Sequence, residues 1–153
     1  MLKRLADLFN AFAATQSAAD LDREIQIATA VLMLEVARAD SSIDAPELAA
    51  ISAVLQEDFD LDGDEAKILL AQAQDTTESA VSSYPFTRRL INNLSVDQRA
   101  LVIERLWRVA LSDRRLDKFE EGTIRKLADL LYVPHTAFIR AKHDATLAID
   151  GRD

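Results

Sequence analysis

Within the first fifteen residues, the large apolar side chains recur at helical spacing, at Leu2, Leu5, Leu8, Phe9 and Phe12. This pattern predicts an amphipathic helix over residues 1–15. After a weak break at residues 15–19, a long helix is predicted over residues 20–39. Its section from Ile25 onward is apolar on nearly every face, which is typical of a helix buried on most sides.

The rest of the chain alternates apolar-periodic segments with short polar bends, and the whole sequence has only three glycines and three prolines. So few turn-forming residues exclude an all-β fold, which needs a turn about every 8–12 residues. The pattern predicts an all-α fold of about eight helices, in one domain over residues 1–153 with a core at 20–148. The later helices are predicted at about 45–57, up to 75, 84–93, 95–112, up to 131, and 134–149.

The chain also matches itself when it is shifted by 73 residues. Both matching segments have the pattern Asp-x-x-(Ile/Leu)-Asp-x-x-Glu between a buried helix and a second helix. We interpret the match as a duplicated helical hairpin, with two pseudo-symmetric helix–loop–helix halves. The matching pairs are Ala37 and Ala110, Asp40 and Asp113, Ile43 and Leu116, Asp44 and Asp117, Glu47 and Glu120, and Ile51 and Ile124.

The same shift pairs Glu35 with Arg108, two charged residues within otherwise apolar helices. A buried charge is costly unless an opposite charge lies next to it. We therefore predict a salt bridge between Glu35 and Arg108 across the pseudo-twofold axis.

The acidic residues of the repeated pattern fit the start of a helix. Asp44 and Asp117 have the positions of N-caps, whose side-chain oxygens accept hydrogen bonds from the free N–H groups of the first turn. Glu47 and Glu120 follow at the third helical position. From there a carboxylate can reach back to the N–H of the cap residue, which completes a capping box.

Capping does not explain the additional aspartate four residues before each cap, Asp40 and Asp113. Oxygen-rich loops of this kind bind hard divalent cations such as Ca²⁺ and Mg²⁺. Two interpretations therefore remain: capping with hydrogen bonds inside the loop, or a divalent cation bound at each bend. The candidate metal ligands are Asp40, Asp44, Glu47, Asp113, Asp117 and Glu120.

A third acidic stretch, Asp58-Phe-Asp-Leu-Asp-Gly-Asp64, resembles the first half of an EF-hand calcium loop. The twelfth position of an EF-hand supplies a bidentate glutamate, but that position is Leu69 here. The mismatch argues against an EF-hand. Asp62 and Glu65 instead predict a third capping box.

Acidic residues are concentrated in the first half of the chain. Residues 1–76 contain 5 Lys/Arg against 15 Asp/Glu, a net charge of −10, whereas residues 77–153 contain 13 against 11, a net charge of +2. An acidic surface repels phosphate backbones, which argues against nucleic-acid binding. The asymmetry favours a cation or a basic protein as partner, or it only keeps the surface solvated.

The sequence predicts a cytoplasmic protein. No apolar run reaches the roughly 18 residues of a membrane span, and Asp7 and Asn10 interrupt the stretch in which a signal peptide needs continuous apolar residues. The first helix has only Lys3 and Arg4 as basic residues, so we expect membrane contact to be at most peripheral. Packing on its own domain, or on a second copy in a homo-oligomer, is favoured.

No catalytic pattern is recognisable. The chain has no cysteine, which excludes thiol nucleophiles, disulfides and thiolate metal sites. His135 and His143 are eight residues apart, two helical turns rather than the single turn of a zinc pair. Trp107 lies in an apolar run typical of a core. We predict no enzyme activity, no catalytic residues and no organic cofactor, with an uncharacterised hydrolase as a distant alternative.

Two segments resemble the A-x-A-D-G-x-I-D-x-x-E motif of TerB-like tellurite-resistance domains. They are ARADSSIDAPE at residues 37–47 and ALSDRRLDKFE at residues 110–120, in which Ser41 and Arg114 replace the glycine of the motif. The likeness covers roughly residues 20–148. It implies a TerB-like helical bundle, also similar to the N-terminal region of some membrane-anchored DnaJ-type co-chaperones, and it implies that the acidic positions of the motif are functional.

The resemblance implies a non-catalytic binding or scaffold domain of the tellurite-resistance and stress-response type, with divalent cations at its acidic bends. The alternative is a protein-interaction domain that binds no metal. In both cases the expected partner is another protein. Direct chemistry on tellurite is disfavoured, because a chain without thiols cannot reduce this oxyanion and an acidic surface repels it.

Overall fold

The computed structural model describes residues 2–40, 43–112 and 117–151, with side chains from Ala18 onward. The described residues form seven α-helices and one 3-10 turn and contain no strand, so the predicted all-α fold is confirmed. Within these ranges, no helix combines the length and the apolar character needed to cross a membrane. The elements are α1 (Leu2–Ala37), a 3-10 turn (Arg38–Asp40), α2 (Ala45–Phe59), α3 (Gly63–Ser79), α4 (Tyr84–Asn93), α5 (Val96–Ala110), α6 (Lys118–Leu130) and α7 (His135–Asp150).

The predicted break at residues 15–19 is wrong, because α1 continues from Leu2 to Ala37, and seven helices therefore replace the expected eight. The five residues in question are Thr-Gln-Ser-Ala-Ala. Alanine is the strongest helix former, and Thr, Gln and Ser reduce helix stability only slightly compared with Gly or Pro. These five residues therefore contain nothing that is strong enough to end the helix.

The C-terminal third of α1 forms the centre of the molecule. This helix packs against α2, α3, α4, α5 and α6, and every residue from Ala28 to Leu34 is buried. The run includes one polar residue, Thr29, whose hydroxyl donates a hydrogen bond to the carbonyl oxygen of Ile25 at 2.8 Å. The helix is therefore surrounded by protein in this section, as its sequence predicts.

The second buried helix is α5, which packs against α1, α2, α6 and α7. Trp107 is fully buried in it, and its ring lies against that of Phe138 on α7, with centroids 5.4 Å apart. The predicted core position of Trp107 is confirmed. The other buried residues of α5 are Val102, Ile103, Leu106, Val109 and Ala110.

Several helices begin where the local sequence predicts. The hydroxyl of Ser95 accepts a hydrogen bond from the N–H of Gln98 at 3.2 Å, and the side chain of Gln98 accepts one from the N–H of Ser95 at 2.8 Å. This capping box opens α5. Pro85 lies in the first turn of α4, and Pro134 directly precedes α7, positions where the missing N–H of proline costs nothing.

Candidate functional site

The first acidic bend leads into α2. Asp44 has an extended backbone, with φ −93° and ψ 171°, and its side chain accepts a hydrogen bond from the N–H of Glu47 at 2.9 Å. The predicted N-cap is confirmed. Asp44 itself is exposed, whereas Glu47 is only 9% exposed.

The second acidic bend leads into α6 in the same way. Asp117 has φ −76° and ψ 133°, and its side chain accepts hydrogen bonds from the N–H groups of Phe119 at 2.6 Å and of Glu120 at 3.4 Å. Glu120 is only 6% exposed, and Ile51 and Ile124, four residues after the two glutamates, are fully buried. Positions that are 73 residues apart therefore have matching caps and matching burial.

A third Asp-x-x-Glu start, at α3, differs from both. The side chain of Asp62 accepts a hydrogen bond from the N–H of Glu65 at 2.8 Å, and the carboxylate of Glu65 accepts one from the N–H of Asp62 at 3.1 Å. Both residues are exposed. The predicted capping box is complete here.

At α2 and α6 the capping box is incomplete, so this part of the prediction is wrong. Among the residues that the structure describes, the N–H groups of Asp44 and Asp117 do not donate to Glu47 and Glu120. Both glutamates are buried, and neither is without an interaction.

The phase of the buried stripe does not cause this difference, because it is the same in all three helices. The residue seven positions after each cap is buried (Ile51, Ile124 and Leu69), and so is the residue eleven positions after it (Leu55, Ala128 and Ala73). The glutamate lies one turn before the first of these residues and therefore on the same side of each helix. Its burial depends on what packs over the first turn of the helix.

The third carboxylate of each bend is not placed by the structure, because the side chain of Asp40 and all of Asp113 lie outside its described residues. The backbone of Asp40 ends the 3-10 turn, which packs against both α1 and α6. Arg38 and Ala39 of this turn line a cleft of about 370 Å³ together with Thr123, which lies one turn beyond Glu120. The first bend therefore lies beside the start of α6.

Among the side chains that are described, no three His, Asp or Glu residues are grouped closely enough to hold a metal ion.

The stretch that resembles an EF-hand has structural roles. Asp58 lies 2.7 Å from the guanidinium of Arg105 and 2.8 Å from that of Arg108, which joins α2 to α5. Asp60 has a left-handed backbone, with φ 53°, and ends α2. Asp62 then begins α3. Three of the four aspartates of the resembling segment thus contribute to the connection between helices.

The predicted salt bridge between Glu35 and Arg108 is wrong. Arg108 pairs with Asp58, with Glu104 at 3.2 Å and with Glu57 at 3.5 Å. Glu35 instead lines the cleft at the end of α1. The shift of 73 residues aligns the two positions along their helices, but the carboxylates that surround Arg108 come from α2 and from α5 itself.

Sequence reasoning missed a groove between α5 and α7. Its charged lining residues include Glu104 and Asp144. Asp97, Leu101 and Glu104 recur at helical spacing on a single face of α5, but nothing in the sequence indicates that α7 forms the other wall. His135 is exposed and is the first residue of α7.

A family model described as tellurite resistance protein TerB matches residues 26–143. The matched range begins within α1, includes both acidic bends and ends within α7. No curated protein sequence and no solved structure is significantly similar to the chain.

Proposed function

The chain belongs to the TerB family, and from this premise we propose that it is a non-catalytic binding domain of the tellurite-resistance type. It acts in the stress response as a scaffold for a partner protein, and its two acidic bends each bind a divalent cation, Ca²⁺ or Mg²⁺. The ligands are Asp40, Asp44 and Glu47 in the first bend and Asp113, Asp117 and Glu120 in the second.

The matching geometry of the two bends is the observation that supports this proposal. In each bend the cap aspartate and the glutamate three residues later lie at the start of a helix, and the glutamate is buried, whereas Glu65 of α3 is exposed. Both buried glutamates already have an interaction within the protein, so a cation shared with the cap aspartate would add to that interaction.

The chemistry of the bends suits a hard cation. Ca²⁺ takes six to eight oxygen ligands, so three carboxylates leave positions for water or for oxygens of a partner. The two bends differ in their neighbouring residues, because Ser41 and Ser42 follow Asp40, whereas Arg114 and Arg115 follow Asp113. Two arginines beside the second bend reduce its attraction for a cation. We therefore expect the first bend to bind more tightly.

Isothermal titration calorimetry with CaCl₂ and MgCl₂, up to about 1 mM, tests the proposal. Asp44→Asn and Asp117→Asn remove a carboxylate but keep a good N-cap, because Asn caps as well as Asp. Asp62→Asn is the matched control at α3. Binding heat and a rise in melting temperature are expected for the wild type and the control, and both should be weakened in the other two variants. No heat and no change in melting temperature for the wild type would reject metal binding.

A protein-interaction domain without a metal is the second candidate. The net charge of −10 in residues 1–76 suits a basic partner. Partner binding that persists in EDTA supports this candidate, whereas binding that is lost in EDTA and restored by Ca²⁺ or Mg²⁺ supports the first.

A further inference from the structure

A second surface, separate from the acidic bends, lies between α5 and α7, where the two helices form an open groove of about 570 Å³. We define the α5–α7 groove by the lining residues Asp97, Leu101 and Glu104 on α5 and Ala137, Arg140 and Asp144 on α7. The lining residues of α5 lie in the first two thirds of this helix. The second acidic bend follows the end of α5, so the two surfaces are separate.

The floor of the α5–α7 groove is formed by small apolar side chains. Ala137 and Ala141 contribute only methyl groups, so the backbone of a bound segment can approach α7 closely. Leu101 lines the groove and is 53% exposed. An exposed leucine in a groove provides contact area for the apolar side chains of a partner.

The rim of the groove is acidic. Asp97 and Asp144 are exposed, and the side chain of Glu104 is 17% exposed. Burial raises the pKa of Glu104, and the charge of Asp144 adds to this rise, although Arg108, 3.2 Å away, opposes it. The residues that line the groove thus include three acids and one cation, Arg140, and Arg108 neutralises part of the charge of Glu104.

We propose that the α5–α7 groove binds a basic amphipathic helix of a partner protein. Asp97 and Glu104 are two helical turns apart, about 10 Å along the axis, so Lys or Arg residues at the same spacing on a docked helix meet both carboxylates. Apolar residues on the adjacent face of that helix pack on Leu101. The acidic rim disfavours nucleic acid and anionic membranes, because both present phosphate groups.

Binding of a synthetic helix tests this inference. The probe is a fluorescein-labelled peptide of Leu, Lys and Ala, about 18 residues or five helical turns long, with its lysines and leucines on adjacent faces. A scrambled peptide of the same composition keeps the charge and removes the amphipathic face. Fluorescence anisotropy is measured at about 0.15 M salt, where the Debye length is about 8 Å. Trp107, the only tryptophan, packs against α7 and gives a second signal without a label.

Variants on and off the groove identify the surface that the peptide contacts. Asp144→Asn combined with Glu104→Gln removes two rim charges, and Leu101→Ala removes apolar area. The matched control is Asp75→Asn combined with Glu78→Gln, two exposed acids of α3. We expect the rim variant to weaken binding about tenfold, Leu101→Ala about fivefold, and the control less than about twofold. The scrambled peptide should bind about tenfold more weakly to the wild type.

Several outcomes would overturn the inference. If the control variant loses as much affinity for the peptide as the rim variant, net charge alone attracts the peptide. The same conclusion follows if the scrambled peptide binds the wild type as tightly as the amphipathic peptide does. Unchanged binding by Leu101→Ala places the peptide elsewhere. Spermine is tested as a competitor of the labelled peptide. If spermine binding depends on Asp144 and Glu104 to the same extent, and the protein does not prefer the amphipathic peptide, the groove binds a small polycation instead. Circular dichroism checks the fold of each variant. Asp144→Asn alone, at an exposed position, replaces the double variant if that one unfolds.

Discussion

Three helices of this molecule begin with Asp-x-x-Glu, yet the glutamate has two different roles. At α3, Glu65 is exposed and returns a hydrogen bond to the cap residue. At α2 and α6, Glu47 and Glu120 are buried and do not form this bond, among the residues that are described. The aspartate, by contrast, accepts a hydrogen bond from the N–H three residues later in all three helices. The local motif determines the role of its aspartate, and packing determines the role of its glutamate.

The largest test of this comparison removes each glutamate. Glu47→Ala and Glu120→Ala each remove a buried carboxylate together with the interaction that it makes, so we expect each to reduce the free energy of unfolding by about 2–3 kcal/mol. Glu65→Ala removes one exposed hydrogen bond, with an expected loss of about 0.5 kcal/mol. Urea unfolding followed by circular dichroism measures all three.

Two further variants show whether charge or packing causes the larger losses. Glu47→Gln and Glu120→Gln keep the size of the side chain and remove its charge. If they recover most of the stability, packing and hydrogen bonding are responsible; if they do not, the charge is. Equal losses for all three alanine variants would mean that the difference in burial has no energetic consequence.

The second test removes the three cap aspartates, which we expect to stabilise the protein equally because they form the same capping hydrogen bond. Asp44→Ala, Asp62→Ala and Asp117→Ala each remove the acceptor for an N–H of the first turn. Each should reduce the free energy of unfolding by about 1 kcal/mol, and asparagine at the same position should restore most of it. Thermal unfolding of the six variants provides the measurement. A loss at one cap well above the other two would show that its aspartate has a role beyond capping.

The local sequence does not separate the two kinds of helix start. Each glutamate lies four residues before a buried aliphatic residue, Ile51, Ile124 or Leu69, so the spacing is the same in all three helices. The burial of Glu47 and Glu120 depends on the packing over the first turn, which the local pattern does not contain.

Other features depended on which helices meet in space, and the sequence could not predict them. The apolar pattern correctly identified the buried parts of α1 and α5. The partner of Arg108 was not predictable in this way, because Asp58 is 50 residues away on α2. The α5–α7 groove was missed for the same reason, since its two walls are separate in the chain and neither is unusual alone. The break in α1 was a different error, in which polar character was taken for a helix end.

The smallest expected effect concerns Glu104, a partly buried glutamate in the middle of α5. Burial raises its pKa above the ordinary value of 4.5. The folded protein therefore holds this proton more tightly than the unfolded chain does, so the contribution of Glu104 to stability is full below pH 4.5 and is lost as the pH rises through the raised pKa. Glu104→Gln has no such proton. Its free energy of unfolding, relative to the wild type, should rise with pH across this window.

The charges around Glu104 make this test specific. Arg108 and Arg105 favour its ionised form, whereas Asp58 and Asp144 oppose it, and burial is the largest of these effects. Glu78→Gln, on the exposed surface of α3, shows how far removing any one carboxylate from this acidic chain changes the pH dependence. A rise of the same size in both variants would assign the effect to net charge. A rise confined to Glu104→Gln would mean that a buried carboxylate has different effects within one molecule. At the start of α2 and α6 it stabilises the fold, whereas in the middle of α5 its ionised form destabilises the fold.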